Sequence, residues 1–187
     1  IDAPSIKVNL ETGRPNACNL CHLDQTIEWS ADYLEKWYGQ PKPALNSENQ
    51  RIAASVLWLL KGDAGLRALI AWHYGWKDAQ GASGAGWQVP ILAHLLEDPY
   101  SAVRFIAGRS LRSYTGLEDL DFDFLDEASR LRTSVEEALV AWKTNQKAEN
   151  QITEPQRVLF KSSSEFDEQL IRAMLSKRVN RSMDLQE

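Results

Sequence analysis

"LLEDPYSAVRFIAGRSLRSYTG", residues 95–116, reads as a helix with its own start and stop signals. Asp98 offers a capping carboxylate, Pro99 suits the first helical position, and Gly116 closes the segment. Between them Val103, Ile106, Ala107, Ser110 and Leu111 recur at helical spacing and define one buried face. Arg104 on this helix is expected to pair with a carboxylate of a neighbouring turn, such as Asp98.

The same grammar extends in both directions. Trp29, Tyr33 and Trp37 fall at i, i+4 and i+8 of a helix over about 29–38, which "QPKP" (40–43) stops. In "NSENQRIAASVLWLLKG" (46–62), Ser47 with Gln50 forms a capping-box signal that opens a helix through Ile52, Val56, Leu57 and Leu60. "KGD" (61–63) breaks it, and Asp63 caps the next helix, which carries Leu66, Leu69, Ile70 and His73. "QGASGAG" (80–86) reads as a loop, and Pro90 opens a helix through Leu92, Leu95 and Leu96. The acidic and aromatic connector "EDLDFDFLDE" (118–127) leads to a helix over about 125–147, with carboxylates at its positive end. Pro155 marks a linker. A last helix from about Ser164 carries Phe166, Leu170, Ile171, Met174 and Leu175, and "NRSMDLQE" reads as a frayed end.

No segment alternates cleanly enough for a strand, so the expected class is all-α. Residues 95–116 resemble the second helix of a HEAT repeat, and 46–62 are a looser echo, with Arg51, Ala54 and Trp58 where Arg104, Ala107 and Leu111 fall. The expected architecture is therefore a HEAT-like stack of antiparallel helix pairs, with an irregular helical bundle as the alternative. It divides into an N-terminal segment with the first helix (1–45), the HEAT-like domain (46–147), and a linker with a C-terminal helix (148–187).

Composition narrows the function. The chain has 187 residues, is 43% hydrophobic, and carries 21 Lys and Arg against 26 Asp and Glu, a net charge of −5. That balance argues against nucleic acid, which selects a basic face. The apolar run "ASVLWLL" (54–60) is far too short to span a membrane. The sequence begins at Ile1 without a recognisable export signal, the expected appearance of a piece of a longer, processed precursor.

The chemistry is concentrated in "RPNACNLCHLDQTIEW" (14–29), which holds both cysteines, Cys18 and Cys21, with His22 directly behind. Asn16 can cap a short helical turn, placing the two cysteines at i and i+3 on one face with the imidazole beside them. Zinc would need a fourth ligand, and His73 and His94 are not paired at finger spacing. A thioredoxin-like dithiol expects a βαβ context, and a disulfide across two residues constrains little of the unfolded chain. Covalent haem c fits best: two thioether bonds from Cys18 and Cys21, and His22 as the proximal iron ligand. Such attachment occurs outside the cytoplasm, so a periplasmic or otherwise exported location is expected. Trp29, Trp37, Trp58, Trp72, Trp76 and Trp87, six of the seven tryptophans, lie in the first half of the chain. Their crowding is compatible with an apolar wall for a large flat cofactor, and equally with gap-filling between helices.

Three stretches, "NACNLCHLDQTIEWSADYLEKWYG" (16–39), "GDAGLRALIAWHYGW" (62–76) and "DPYSAVRFIAGRSLR" (98–112), together resemble the C-terminal region of HEAT-repeat-containing multihaem c-type cytochromes. The resemblance spans roughly residues 14–120. It implies haem c on Cys18 and Cys21, His22 on the iron, and electron transfer with a redox partner protein or with other haem domains of the same precursor. This chain departs from those proteins in having a single CxxCH.

For the sixth iron position the remaining histidines are His73, on the stripe Leu66, Leu69 and Ile70 and therefore facing the core, and His94, at the edge of its buried face and the weaker candidate. Either can instead be an ordinary core histidine satisfied by a hydrogen bond. Met174 reads as core and Met183 as tail. No general acid–base constellation stands out, so the expectation is an electron carrier. The rivals are a HEAT-like interaction scaffold and the electron-entry domain of a larger multihaem oxidoreductase.

Overall fold

The computed structural model describes residues 4–145, 159–162 and 165–180. It is all-α apart from one short ribbon. In chain order the helices are α1 (Ile6–Thr12), α2 (Ala17–Cys21), α3 (Ile27–Tyr38), α4 (Ser47–Arg51), α5 (Ala54–Lys61), α6 (Ala64–Tyr74), α7 (Lys77–Ser83), α8 (Val89–Ala93), α9 (Ser101–Leu111), α10 (Ala128–Asn145) and α11 (Glu168–Leu175). A 3-10 turn, His94–Glu97, extends α8. The ribbon pairs β1 (Phe160–Ser162) with β2 (Glu165–Phe166), antiparallel.

Many helices start on side-chain caps. Asn16, Thr26, Asn46, Asp63 and Asp167 accept the amides of Asn19, Trp29, Asn49, Leu66 and Leu170, each contributing about 0.5–2 kcal/mol. Gly39, at φ 62°, closes α3 in the left-handed conformation that glycine adopts without penalty.

The main core is one continuous body. α6 packs between α5 and α9; α8 and its 3-10 turn pack on α9 and α10; α11 returns to α5. Ile70, Ala71, Leu95, Leu96, Leu111 and Ala138 are fully buried within it. Phe160, Phe166, Ile171 and Met174 belong to the same core, so the C-terminal helix is built into the body rather than appended to it. A smaller cluster of Ile6, Ile27, Ala31, Leu34 and Ala54 joins α1 and α3 to α5. The ends of α6 and α9 approach so closely that a Cβ at Gly75 would lie 2.6 Å from Ser110 Oγ.

Several boundaries differ from the sequence reading, each for a physical reason. The helix expected through Ile52 is broken there: Asn46, not Ser47, caps α4, and Ile52 is extended (φ −109°, ψ 138°) before α5 begins. The break frees the Ala54 amide to donate to Gln25 O at 2.9 Å. Much of 80–86 is helical, within α7. Asp98 and Pro99 do not open α9, which starts at Ser101; the Asp98 carboxylate binds Arg67 and accepts the Tyr100 amide at 3.0 Å. Arg104 consequently donates to the backbone carbonyls of Asp98 (2.8 Å) and Phe124 (2.6 Å) instead of to a carboxylate. The last helix starts at Glu168, after Phe166 has paired in the ribbon. Pro155 and Met183 lie outside the described residues.

Arg67 and Asp98 are both completely buried at the side chain. Arg67 Nε and Nη2 donate to the two carboxylate oxygens at 2.8 and 3.0 Å, and Nη1 reaches Gly62 O at 2.7 Å. Breaking a buried pair strands the other charge, at about 3–5 kcal/mol. Arg67→Met alone should lose that much stability in urea unfolding. Arg67→Met with Asp98→Leu should recover a large part of it, and a double variant no more stable than the single would refute the argument.

Candidate haem-attachment site

α2 is one and a half turns long and is held by polar groups on its inner side. Asn19, between the two cysteines, is fully buried. Its Nδ2 donates to Gln25 O (3.0 Å) and Thr26 O (3.3 Å), and its Oδ1 accepts from Asn16 Nδ2 (2.8 Å) and Ser30 Oγ (2.7 Å). Beyond the helix, Leu23 is buried in the main core, and its carbonyl accepts from Ser55 Oγ at 2.6 Å. Ser55 Oγ also lies 3.0 Å from the buried Tyr74 hydroxyl. The segment is thus bound to α3 and α5, and through Ser55 linked to α6, by bonds that need no cofactor.

Cys18 and Cys21 are free thiols, both half-buried, one helical turn apart. Burial pushes the Cys18 thiol up, with the Cys21 charge adding to it. His22 is the C-cap of α2, and its ring centroid lies 4.9 Å from that of Trp29. Trp29, Tyr33 and Trp37 then stack along α3 at 4.8 and 4.7 Å, as the i, i+4, i+8 spacing predicts. Among the described residues neither ring nitrogen of His22 is committed to a protein hydrogen bond, and no three His, Cys, Asp or Glu side chains converge to hold a bare metal ion. Two uncommitted thiols and an uncommitted imidazole on a braced helix fit haem c. Cys18 and Cys21 would hold the porphyrin and His22 the iron.

The two other histidines have different surroundings. His73, on α6, is buried and meets the backbone of Leu20, inside the CxxCH segment, by a hydrogen bond. Trp72 and Trp76 pack on its ring, with centroids at 4.9 and 5.8 Å, and its Nδ1 has no partner among the described residues. Burial lowers its pKa, with the Leu20 bond opposing. His94 packs against Phe166, with Glu168 and Arg172 of α11 as its charged neighbours. The structure therefore brings His73, and not His94, to α2.

Sequence reasoning missed Asn19 and Asp24. Asn19 was recoverable, because a polar residue three after an Asn cap faces back toward it. Asp24 is buried, which pushes its carboxyl up; its own amide, the Gln25 side chain and His22 oppose the shift. No family model matches this chain, and no curated protein or solved structure matches it.

Burial of His94 lowers its pKa to about 4 from 6.5, with Glu168 opposing the shift and Arg172 adding to it. Between those values the unfolded chain binds a proton that the folded chain refuses, so stability falls as pH drops from about 7 towards 4. The loss is up to about 3 kcal/mol at 1.36 kcal/mol per unit. In urea titrations at pH 7 and 4.5, His94→Leu should show a smaller acid loss than wild type; equal losses would contradict the assignment.

Proposed function

We propose that this chain is an electron-transfer domain of a c-type cytochrome, with haem c bound covalently through Cys18 and Cys21 and His22 as proximal ligand. The observation that carries the reading is the pair of free thiols one turn apart, with an uncommitted imidazole at the C-cap of the same braced helix. When bound, haem c supplies a one-electron iron couple whose potential follows its axial ligands and burial. The residues here hold the attachment helix rigid, through Asn19, Ser55 and Tyr74, and leave its outer face accessible. Burial of the helix's inner side keeps water from the backbone that carries the ligand.

The helical body is read as a HEAT-like stack, α5 with α6 and α8 with α9, supported by their mutual packing and by short connections such as Gly62–Asp63. The parent protein would then be similar to the HEAT-containing multihaem cytochromes, exported, and wired to a redox partner or to further haems of its own. No helix among the described residues is long and apolar enough to cross a membrane.

Protein made in an exporting host with the attachment machinery should exceed its polypeptide mass by one haem, and the added mass should survive acid denaturation. An unmodified mass from such material would end the proposal. His73 is the candidate distal ligand: it meets the backbone of Leu20, and among the described residues its Nδ1 has no partner. In haem-loaded protein His73→Ala should turn a low-spin spectrum high-spin and open the iron to added imidazole. A spectrum that stays low-spin assigns His73 to bracing α2 and excludes it from the iron.

A further inference from the structure

The turn that follows the attachment helix contains a carboxylate whose burial is unexplained. Gln25 N donates to His22 O at 3.1 Å, closing a turn over Leu23 and Asp24. Leu23 is fully buried and its carbonyl is held by Ser55, so the turn is fixed from inside. Asp24 is 6% exposed. Its Oδ2 accepts from Gln25 Nε2 at 2.5 Å, while its Oδ1 is buried and has no partner among the described residues. An unfilled buried acceptor of this kind is costly, and among the described residues His22 is the ionisable side chain whose charge bears on it.

We propose that Asp24 is a positioning residue for His22, its Oδ1 accepting the Nδ1–H of the imidazole when Nε2 is on iron. The inference rests on the haem reading above. A ligating imidazole carries its proton on the other nitrogen, which needs an acceptor to fix the tautomer and the ring plane. His22 has that donor uncommitted, and Asp24 has the acceptor. A carboxylate in this position raises the basicity of the ligand and favours the oxidised iron, lowering the potential.

The test uses haem-loaded protein labelled with nitrogen-15 at histidine. In the reduced wild type the His22 Nδ1–H should exchange slowly and show a nuclear Overhauser contact to the Asp24 β-protons; rapid exchange, or a contact to another acceptor, overturns the proposal without any variant. Asp24→Asn and Asp24→Ala should raise the reduced-to-oxidised ratio at fixed ambient potential at least tenfold, about 59 mV for one electron, and should speed Nδ1–H exchange. A ratio within twofold of wild type overturns it. So does a raised ratio with unchanged exchange, which would show a through-space charge effect and no hydrogen bond. Wild-type protein without covalent haem instead overturns the underlying reading, and this inference with it; a haemochrome spectrum separates that failure from the others.

Discussion

A guanidinium cut off from solvent must find acceptors inside the protein, and Arg67 finds them in three stretches far apart in sequence. Gly62 O supplies one from the turn before α6, the Asp98 carboxylate two from the segment before α9, and Val179 O and Asn180 Oδ1 the others from beyond α11. The ring of Tyr100, with its centroid 5.6 Å from the guanidinium carbon, covers the group. α6 is therefore pinned near its N-terminal end to both of its spatial neighbours. Its opposite end carries His73, which meets the backbone of Leu20 in α2, and Tyr74, whose hydroxyl lies 3.0 Å from the Ser55 Oγ that holds Leu23. The placement of α2 on the body thus depends on how α6 is held, a little under two turns away.

α2 itself could not stand alone. Five residues cannot offset the cost of nucleating a helix in water, and the sequence supplies little helix propensity there. What holds it is saturation of buried polar groups: each hydrogen-bonding atom of the Asn19 amide has a partner, and the carbonyls of Leu23 and Gln25 are both filled from α5. The break at Ile52 is part of this device, since an unbroken helix would have kept the Ala54 amide for itself. The inner side is fully bonded while the outer side keeps two thiols uncommitted, a division that fits the attachment proposed for this helix.

The features legible in sequence were the local ones. Asn16 and Asp63 cap where their side chains dictate, and the Trp29–Tyr33–Trp37 ladder follows from helical spacing alone. The CxxCH spacing pointed to the segment, and His73 to a buried face. What escaped depended on partners distant in the chain. Arg67 looked like any helical arginine, and Asp98, thirty-one residues on, looked like a cap; only the folded body shows that the first takes the carboxylate of the second and leaves Arg104 to backbone carbonyls. The break at Ile52 was hidden because its cause lies at Gln25. Phe166 sits on an apolar stripe that reads equally well as helix, yet it pairs with Phe160 in the ribbon.

His73 and His94 show why burial by itself does not identify a ligand. Both are withdrawn from water, which lowers the pKa of each, and among the described residues each keeps one ring nitrogen without a partner. They differ in what surrounds them. His94 lies under α11 between Glu168 and Arg172, where a neutral ring serves packing and a proton would disturb it. His73 lies among Trp72, Trp76 and the backbone of the cysteine-bearing helix, and among the described residues no charged side chain bears on it. Side chains that must keep one geometry draw that constancy from rigid neighbours rather than from themselves. Around His22 those neighbours are the turn locked by Leu23 and the indole of Trp29; around His73 they are two tryptophans and a helix braced through Asn19.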